Sequence, residues 1–257
     1  MMRPLQNLRG QNLALMEQYQ ELFENYISSG NYVSGALTEK FEHELAAYTG
    51  CESALEIALR AAGVKPGDFV GIPALTFVAT AFAVKLIGAK AVLIDIDKHS
   101  WNISMDTVSE AYEKHNFSFL VPVHLHGNII HQNEFQDFVT RKNIIIVEDA
   151  AQSISRPSNK TLLLKGSEVA ATSFYPGKNL GSITEGGAIL TNSRKIMEYA
   201  KKYRNWGTVI KYEHDSPGGN FRIDEFGSGV LSIKLEHFLE VRKFAAYFQV
   251  FSGQIHM

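Results

Sequence analysis

An α/β fold, built on a mostly parallel sheet with helices on both faces, is predicted by three features of the sequence. Short apolar runs alternate with helical patterns from residue 69 to residue 204. The runs are apolar on both faces rather than alternating, as strands covered from two sides must be. Their connections have the length and period of helices, which is how parallel neighbours are joined.

The elements follow in order. Residues 8–29 read as a helix, with Leu13, Met16, Tyr19, Leu22, Phe23 and Tyr26 at three-to-four spacing and Gly30 as its stop. A second helix covers 37–48 on Leu37, Phe41, Leu45 and Ala46, and ends at Gly50. A third begins at Ser53, where Ser53-Ala54-Leu55-Glu56 has the capping-box pattern. Strands are expected at 69–72, 91–95, 119–123, 144–149, 169–174 and 187–191. Helices are expected at 76–87, 104–114, 133–141 and 193–204, and a last one at 224–251. In an open sheet of this kind ligands sit at the carboxyl ends of the strands.

Composition narrows the function classes. The 257 residues carry 25 Lys and Arg against 27 Asp and Glu, a formal charge of −2. That balance excludes a general nucleic-acid binder held by counterion release. A single cysteine, Cys51, excludes an internal disulfide framework and a multi-cysteine metal site, and reads as a small packed residue. The stretch 69–84 is broken by Pro73 and Thr76 and is too short to span a membrane. The first residues lack the apolar core of a secretory signal, so a cytoplasmic protein is expected. His124, His126 and His131 lack a further ligand at metal spacing, and no metal is expected. Lys201, Lys202 and Arg204 read as a solvated helix face.

Four polar residues fall where the ligand side should be. Asp149 closes the most apolar strand and Gln152 follows it. Ser173 closes the next strand, and Lys178 lies in a loop punctuated by Pro176, Gly177 and Gly181. An acid at a buried strand end needs donors or a cation. A lysine in such a loop is a usable amine once desolvated. The pair suits a carbonyl cofactor, with lysine forming an imine and the acid holding a pyridine nitrogen protonated. Phe77, past another strand end, is placed to stack on a ring. By residue type alone, a strand-end Asp is more often a helix cap, and a loop lysine is usually solvated.

The strings themselves say more. Glu148-Asp149-Ala150-Ala151-Gln152, Ser173-Phe174-Tyr175-Pro176-Gly177-Lys178-Asn179-Leu180-Gly181 and Glu185-Gly186-Gly187-Ala188 resemble the DegT/DnrJ/StrS family of sugar aminotransferases. Pro73-Ala74-Leu75-Thr76-Phe77, Val121-Pro122-Val123-His124-Leu125-His126-Gly127 and Gly219-Asn220-Phe221-Arg222 are similar to further segments of it, with His126 where a tyrosine is usual. The resemblance covers about residues 5 to 247 and implies a type I, aspartate aminotransferase-like, pyridoxal-phosphate-dependent fold. Residues 1–257 would be its major domain, with a helical arm over about 1–35. It implies that Lys178 carries the cofactor and shuttles the proton, and that Asp149 pairs with the ring nitrogen. Gln152 would lie on the ring oxygen, Phe77 on the ring face, and Ser173 on the phosphate. Asn220 would reach the phosphate of the neighbouring subunit in a homodimer. The implied reaction moves an amino group from an amino acid, glutamate foremost, to a keto group of a nucleotide-linked sugar, as in polysaccharide or amino-sugar synthesis.

Two departures from the family pattern carry expectations. Tyr48-Thr49-Gly50-Cys51-Glu52 runs almost directly into Ser53, so the usual strand and phosphate loop are expected to be deleted. The N-terminus of the following helix would then replace their donors in part, each lost donor costing about 1.5–3 kcal/mol. The sequence also stops near the end of the last helix, so the C-terminal small domain is expected to be absent. That would expose an apolar face at Leu231, Leu235, Phe238, Phe244, Tyr247 and Phe248. The alternative reading is a catalytically impaired remnant or interaction protein.

Overall fold

Polar spacing at the helix ends and unbroken apolar runs in the strands set the architecture. The structure is a computed structural model that describes residues 8–45, 48–50, 54–130, 132–154 and 167–237. The first predicted helix is two: α1 (Leu8–Leu13) and α2 (Met16–Ser29), with Gly30 in the left-handed conformation closing α2 at φ 63°. Then come α3 (Ala36–Leu45), β1 (Tyr48–Gly50), α4 (Ala54–Ala61), β2 (Phe69–Pro73) and α5 (Val78–Ile87). The alternation continues with β3 (Lys90–Ile94), α6 (Met105–His115), β4 (Phe119–Leu120) and α7 (Gln132–Lys142). It ends with β5 (Ile145–Asp149), β6 (Val169–Ser173), β7 (Gly187–Thr191), α8 (Arg194–Tyr203) and α9 over residues 225–237.

The seven strands form one sheet in the order β1-β7-β6-β5-β4-β2-β3. β6, β5, β4, β2 and β3 run parallel, and β7 is antiparallel to both its neighbours. Alternate residues of one strand enter different cores. Val147, Val169, Ala171 and Ile189 pack with α4, α5 and α8. Ile146, with Leu120, Val92 and Ile94, packs with α6 and α7. Ala170, Ala188 and Leu190 join Phe41 of α3 and Leu231 of α9. Strands buried on both faces read as continuous apolar runs, which is why the sequence pattern was informative.

Several expectations are corrected. No strand was expected at Tyr48–Gly50, yet this segment pairs with Gly187–Ile189 and fills the sheet edge; the expected loss of the strand and phosphate loop beyond it falls on residues 51–53, outside the described residues. β7 leaves a row of backbone groups unpaired on that side, and any extended segment of that reach satisfies them. The second helix therefore stops at Leu45 rather than at residue 48. Leu231 is fully buried and Leu235 packs on the same core, so neither belongs to an exposed face. The fourth strand keeps only Phe119–Leu120 in the ladder, because Pro122 has no N–H to donate; Val123 then makes a single bridge to Asp149. Ser53, Cys51, His131, Phe238, Phe244, Tyr247 and Phe248 lie outside the described residues, as does the expected helix beyond residue 237.

Candidate active site

Five of the predicted site residues gather at the carboxyl ends of the parallel strands. Asp149 is the last residue of β5 and is 8% exposed. Its backbone is held from β4: its N–H donates to the Pro122 carbonyl at 2.9 Å, and its carbonyl accepts from the His124 N–H at 3.1 Å. Its carboxylate accepts the Thr80 hydroxyl at 2.8 Å on Oδ2 and the Ala151 N–H at 3.1 Å on Oδ1. Among the described residues it has no ion pair within bonding distance. Burial pushes its pKa up, and the Thr80 and Ala151 bonds and the charges of Lys178 and His124 oppose that rise.

Lys178 is half-buried in the loop after β6, near enough for its charge to act on Asp149. The loop is a tight structure. Lys178 N–H donates to the Tyr175 carbonyl at 2.8 Å, and Ser182 N–H to the Phe174 carbonyl at 2.8 Å. A Cβ at Gly181 would stand 2.4 Å from the Pro176 oxygen, so only glycine fits there. From α9, the Lys234 ammonium donates to the Gly181 carbonyl at 2.7 Å; burial holds its pKa below the usual lysine range.

Gln152 follows β5, and its Oε1 accepts the His126 N–H at 2.6 Å. Ser173 ends β6; its hydroxyl oxygen accepts the Tyr175 N–H at 3.2 Å, which leaves its proton to donate. Phe77 is the N-cap of α5 and is 70% exposed, so its ring face is open. Asn220 is exposed, bridged to Asn205, and accepts Arg222 Nε at 3.0 Å, and none of these partners is one of the other five.

Sequence reasoning missed three supports. Thr80 is one; a pair of threonines four residues apart at the start of an apolar helix is the signal that would have found it. Lys234 is another. The third is a fully buried pair behind β5, His124 Nε2 to Glu148 Oε2 at 2.9 Å, with Ser167 donating to the other carboxylate oxygen. His124 is thus committed to Glu148, and no group of metal-ligating side chains is found among the described residues. Arg204 is also not a solvated cation, since it pairs with Glu42. That pair lines a separate cavity of about 260 Å³ together with Thr38, Lys201, Thr208 and Arg222, and none of the predicted site residues borders it.

Comparison with known proteins places this geometry. The model of the DegT/DnrJ/EryC1/StrS aminotransferase family matches residues 14–247. The chain is 37% identical over 222 residues to the dTDP-3-amino-3,4,6-trideoxy-alpha-D-glucose transaminase of Streptomyces venezuelae, covering 82% of this chain and 58% of that one. Its fold superposes on the crystal structure of S. venezuelae DesV in complex with a ketimine intermediate with a TM-score of 0.86, at 33% identity over 92% of this chain and 66% of that one. The structure of ntda from Bacillus subtilis, with bound cofactor PMP, follows at a TM-score of 0.76 and 27% identity, covering 84% and 51%. The chain spans 58% to 66% of the length of the first curated relatives it matches. A seven-strand sheet with this carboxyl-end cluster, and a family match over nearly its whole length, mean that the chain belongs to the DegT/DnrJ/EryC1/StrS aminotransferase family.

Proposed function

We propose that the chain is the cofactor-binding major domain of a pyridoxal-phosphate-dependent aminotransferase that moves an amino group from an amino acid, glutamate foremost, to a keto group on a nucleotide-linked sugar. One observation carries the reading. Among the described residues, Asp149 is a buried carboxylate with two neutral donors and no ion pair, and a lysine of the next loop lies within its field. A buried carboxylate in that state is completed by a cation, and a protonated pyridine nitrogen is one. The residues present therefore fit pyridoxal phosphate.

When bound, pyridoxal phosphate supplies an aldehyde carbon and an electron-withdrawing ring. The rest is the work of this chain. Lys178 would hold the cofactor through its amine and would move the proton at the donor's α-carbon through Nζ. Asp149 keeps a proton on the ring nitrogen. Gln152, its Oε1 held by the His126 N–H, would offer its amide NH₂ to the ring oxygen. Phe77 covers one ring face, and Ser173 donates its free proton to the phosphate. Asn220, which is exposed, would reach the phosphate of a second subunit in a homodimer. The cytoplasmic setting belongs to the same reading; no described helix is long and apolar enough to cross a membrane.

The test is a cofactor titration of the purified chain, followed by borohydride reduction and mass analysis. A saturable visible band and a covalent adduct, both lost in Lys178→Ala, are expected. Glutamate and a panel of nucleotide-linked keto sugars then read transfer. No band and no adduct at millimolar cofactor would leave a family member without the chemistry.

A further inference from the structure

Thr80 carries a buried hydroxyl that the reaction does not otherwise use. It is 1% exposed on the first turn of α5 and has one proton. That proton goes to Asp149 Oδ2, at 2.8 Å. Its second contact, Thr76 Oγ1 at 2.9 Å, must then be the donor to it. The direction of the chain is thereby fixed as Thr76 to Thr80 to Asp149, each bond polarising the next. Thr76 adjoins Phe77, the N-cap of the same helix.

We propose that Thr80 is a positioning residue: with Thr76 behind it, it fixes the Asp149 carboxylate in its charged form and registers it against the ring face that Phe77 offers. Asp149 lies on β5 and Phe77 on α5. Among the described residues, the Thr80 bond is the side-chain hydrogen bond between the carboxylate and α5. A ring gripped by both groups requires them to keep a set separation, and the hydroxyl sets it. The other groups acting on the carboxylate come from other elements: the Ala151 N–H from the turn after β5, the Lys178 ammonium from the loop after β6, and His124 from the segment after β4. None of them belongs to α5. The inference rests on the proposed cofactor reading only for its consequence, since the contact itself belongs to the chain alone.

The experiment reads the chain without cofactor. Carboxyl ¹³C resonances of Asp-labelled protein are followed against pH, with Asp149 assigned as the signal missing from Asp149→Asn. Thr80→Val removes the donor at constant shape and is expected to raise the proton affinity of Asp149 about tenfold, moving its titration to higher pH. Thr80→Ser restores the donor and is expected to titrate like the native chain. Thr76→Val leaves the Thr80 proton in place and is expected to shift Asp149 in the same direction by less, which keeps the test alive should Thr80→Val not fold. Pyridoxal phosphate affinity, read by absorbance, is expected to fall with Thr80→Val and return with Thr80→Ser. An Asp149 titration in folded Thr80→Val indistinguishable from native would overturn the proposal. So would an unshifted Thr76→Val, or a Thr80→Ser no better than Thr80→Val. A native chain that binds no cofactor, but shows the ordered titration shifts, would sink the aminotransferase reading and leave this one standing.

Discussion

Asp149 shows what a buried carboxylate costs in stability. Burial raises its pKa, so the folded chain holds the proton to a higher pH than the unfolded chain does. Between the ordinary carboxylate range near about 4 and the raised folded value, the folded state binds more protons than the unfolded state. Stability therefore falls as pH rises through that window, and the loss persists at neutral pH. Asp149→Asn is expected to melt higher than the native chain at pH 7 and to lose that advantage at pH 3. Thermal melts at the two values check it. Its amide turns toward Thr80, whose hydroxyl swings round to accept. The same variant is expected to lose cofactor affinity. At Gly181 the constraint is steric: a methyl group would strike the Pro176 oxygen at 2.4 Å. Gly181→Ala is expected to cost about 2 kcal/mol and to displace the Lys178 loop; urea unfolding measures the first effect, and borohydride trapping at Lys178 the second.

At the scale of elements, a buried carboxylate fastens α3 to α9. Glu225 is 3% exposed and accepts the N–H groups of Gly35, Leu37 and Thr38 at 2.8, 2.9 and 3.0 Å, as well as the Thr38 hydroxyl. The first turn of α3 has orphan donors like any helix start, and here a side chain from 190 residues away satisfies them. Glu225→Ala is expected to cost about 3 kcal/mol, since it leaves three donors buried without partners. Glu225→Gln, which keeps one acceptor oxygen, should recover part of that loss. Chemical denaturation of the two variants decides it. A sequence reading placed both helices but had no means to pair them. Glu225 sits in a helical pattern like any exposed acid, and its burial depends on what the fold lays over it. The split between α1 and α2 was hidden for a related reason: Leu13 and Met16 keep the apolar spacing across a turn that only the backbone reveals.

For the whole molecule, the sheet sets Asp149, Gln152, Ser173, Lys178 and Phe77 after the carboxyl ends of β5, β6 and β2, while Asn220 follows α8 and is bridged to Asn205. The proposed homodimer, with Asn220 serving the partner's site, is testable. Lys178→Ala and Asn220→Ala chains, mixed and allowed to exchange, should form about one intact site in four. Covalent adduct should then appear at a cofactor concentration too low to load Asn220→Ala alone. No gain on mixing would place Asn220 outside the partner's site.

The sequence alone determined the class of fold, the alternation of strands and helices from residue 69 to residue 204, and the polar residue types at the β5 and β6 ends. Those are encoded locally: strands covered on two faces must be apolar throughout, and a lysine loop between Pro176 and Gly181 needs its own glycines. The tertiary structure decided which strands are neighbours, that Tyr48–Gly50 closes the edge beside β7, and that Leu231 is core. It alone brought Thr80 to Asp149, Glu148 to His124 and Glu225 to α3. These contacts join residues far apart in the chain, and the same residue types at the same spacing are as compatible with solvent. Burial turns each of them into a hydrogen bond that the fold has to satisfy, and burial is a property of the packed molecule.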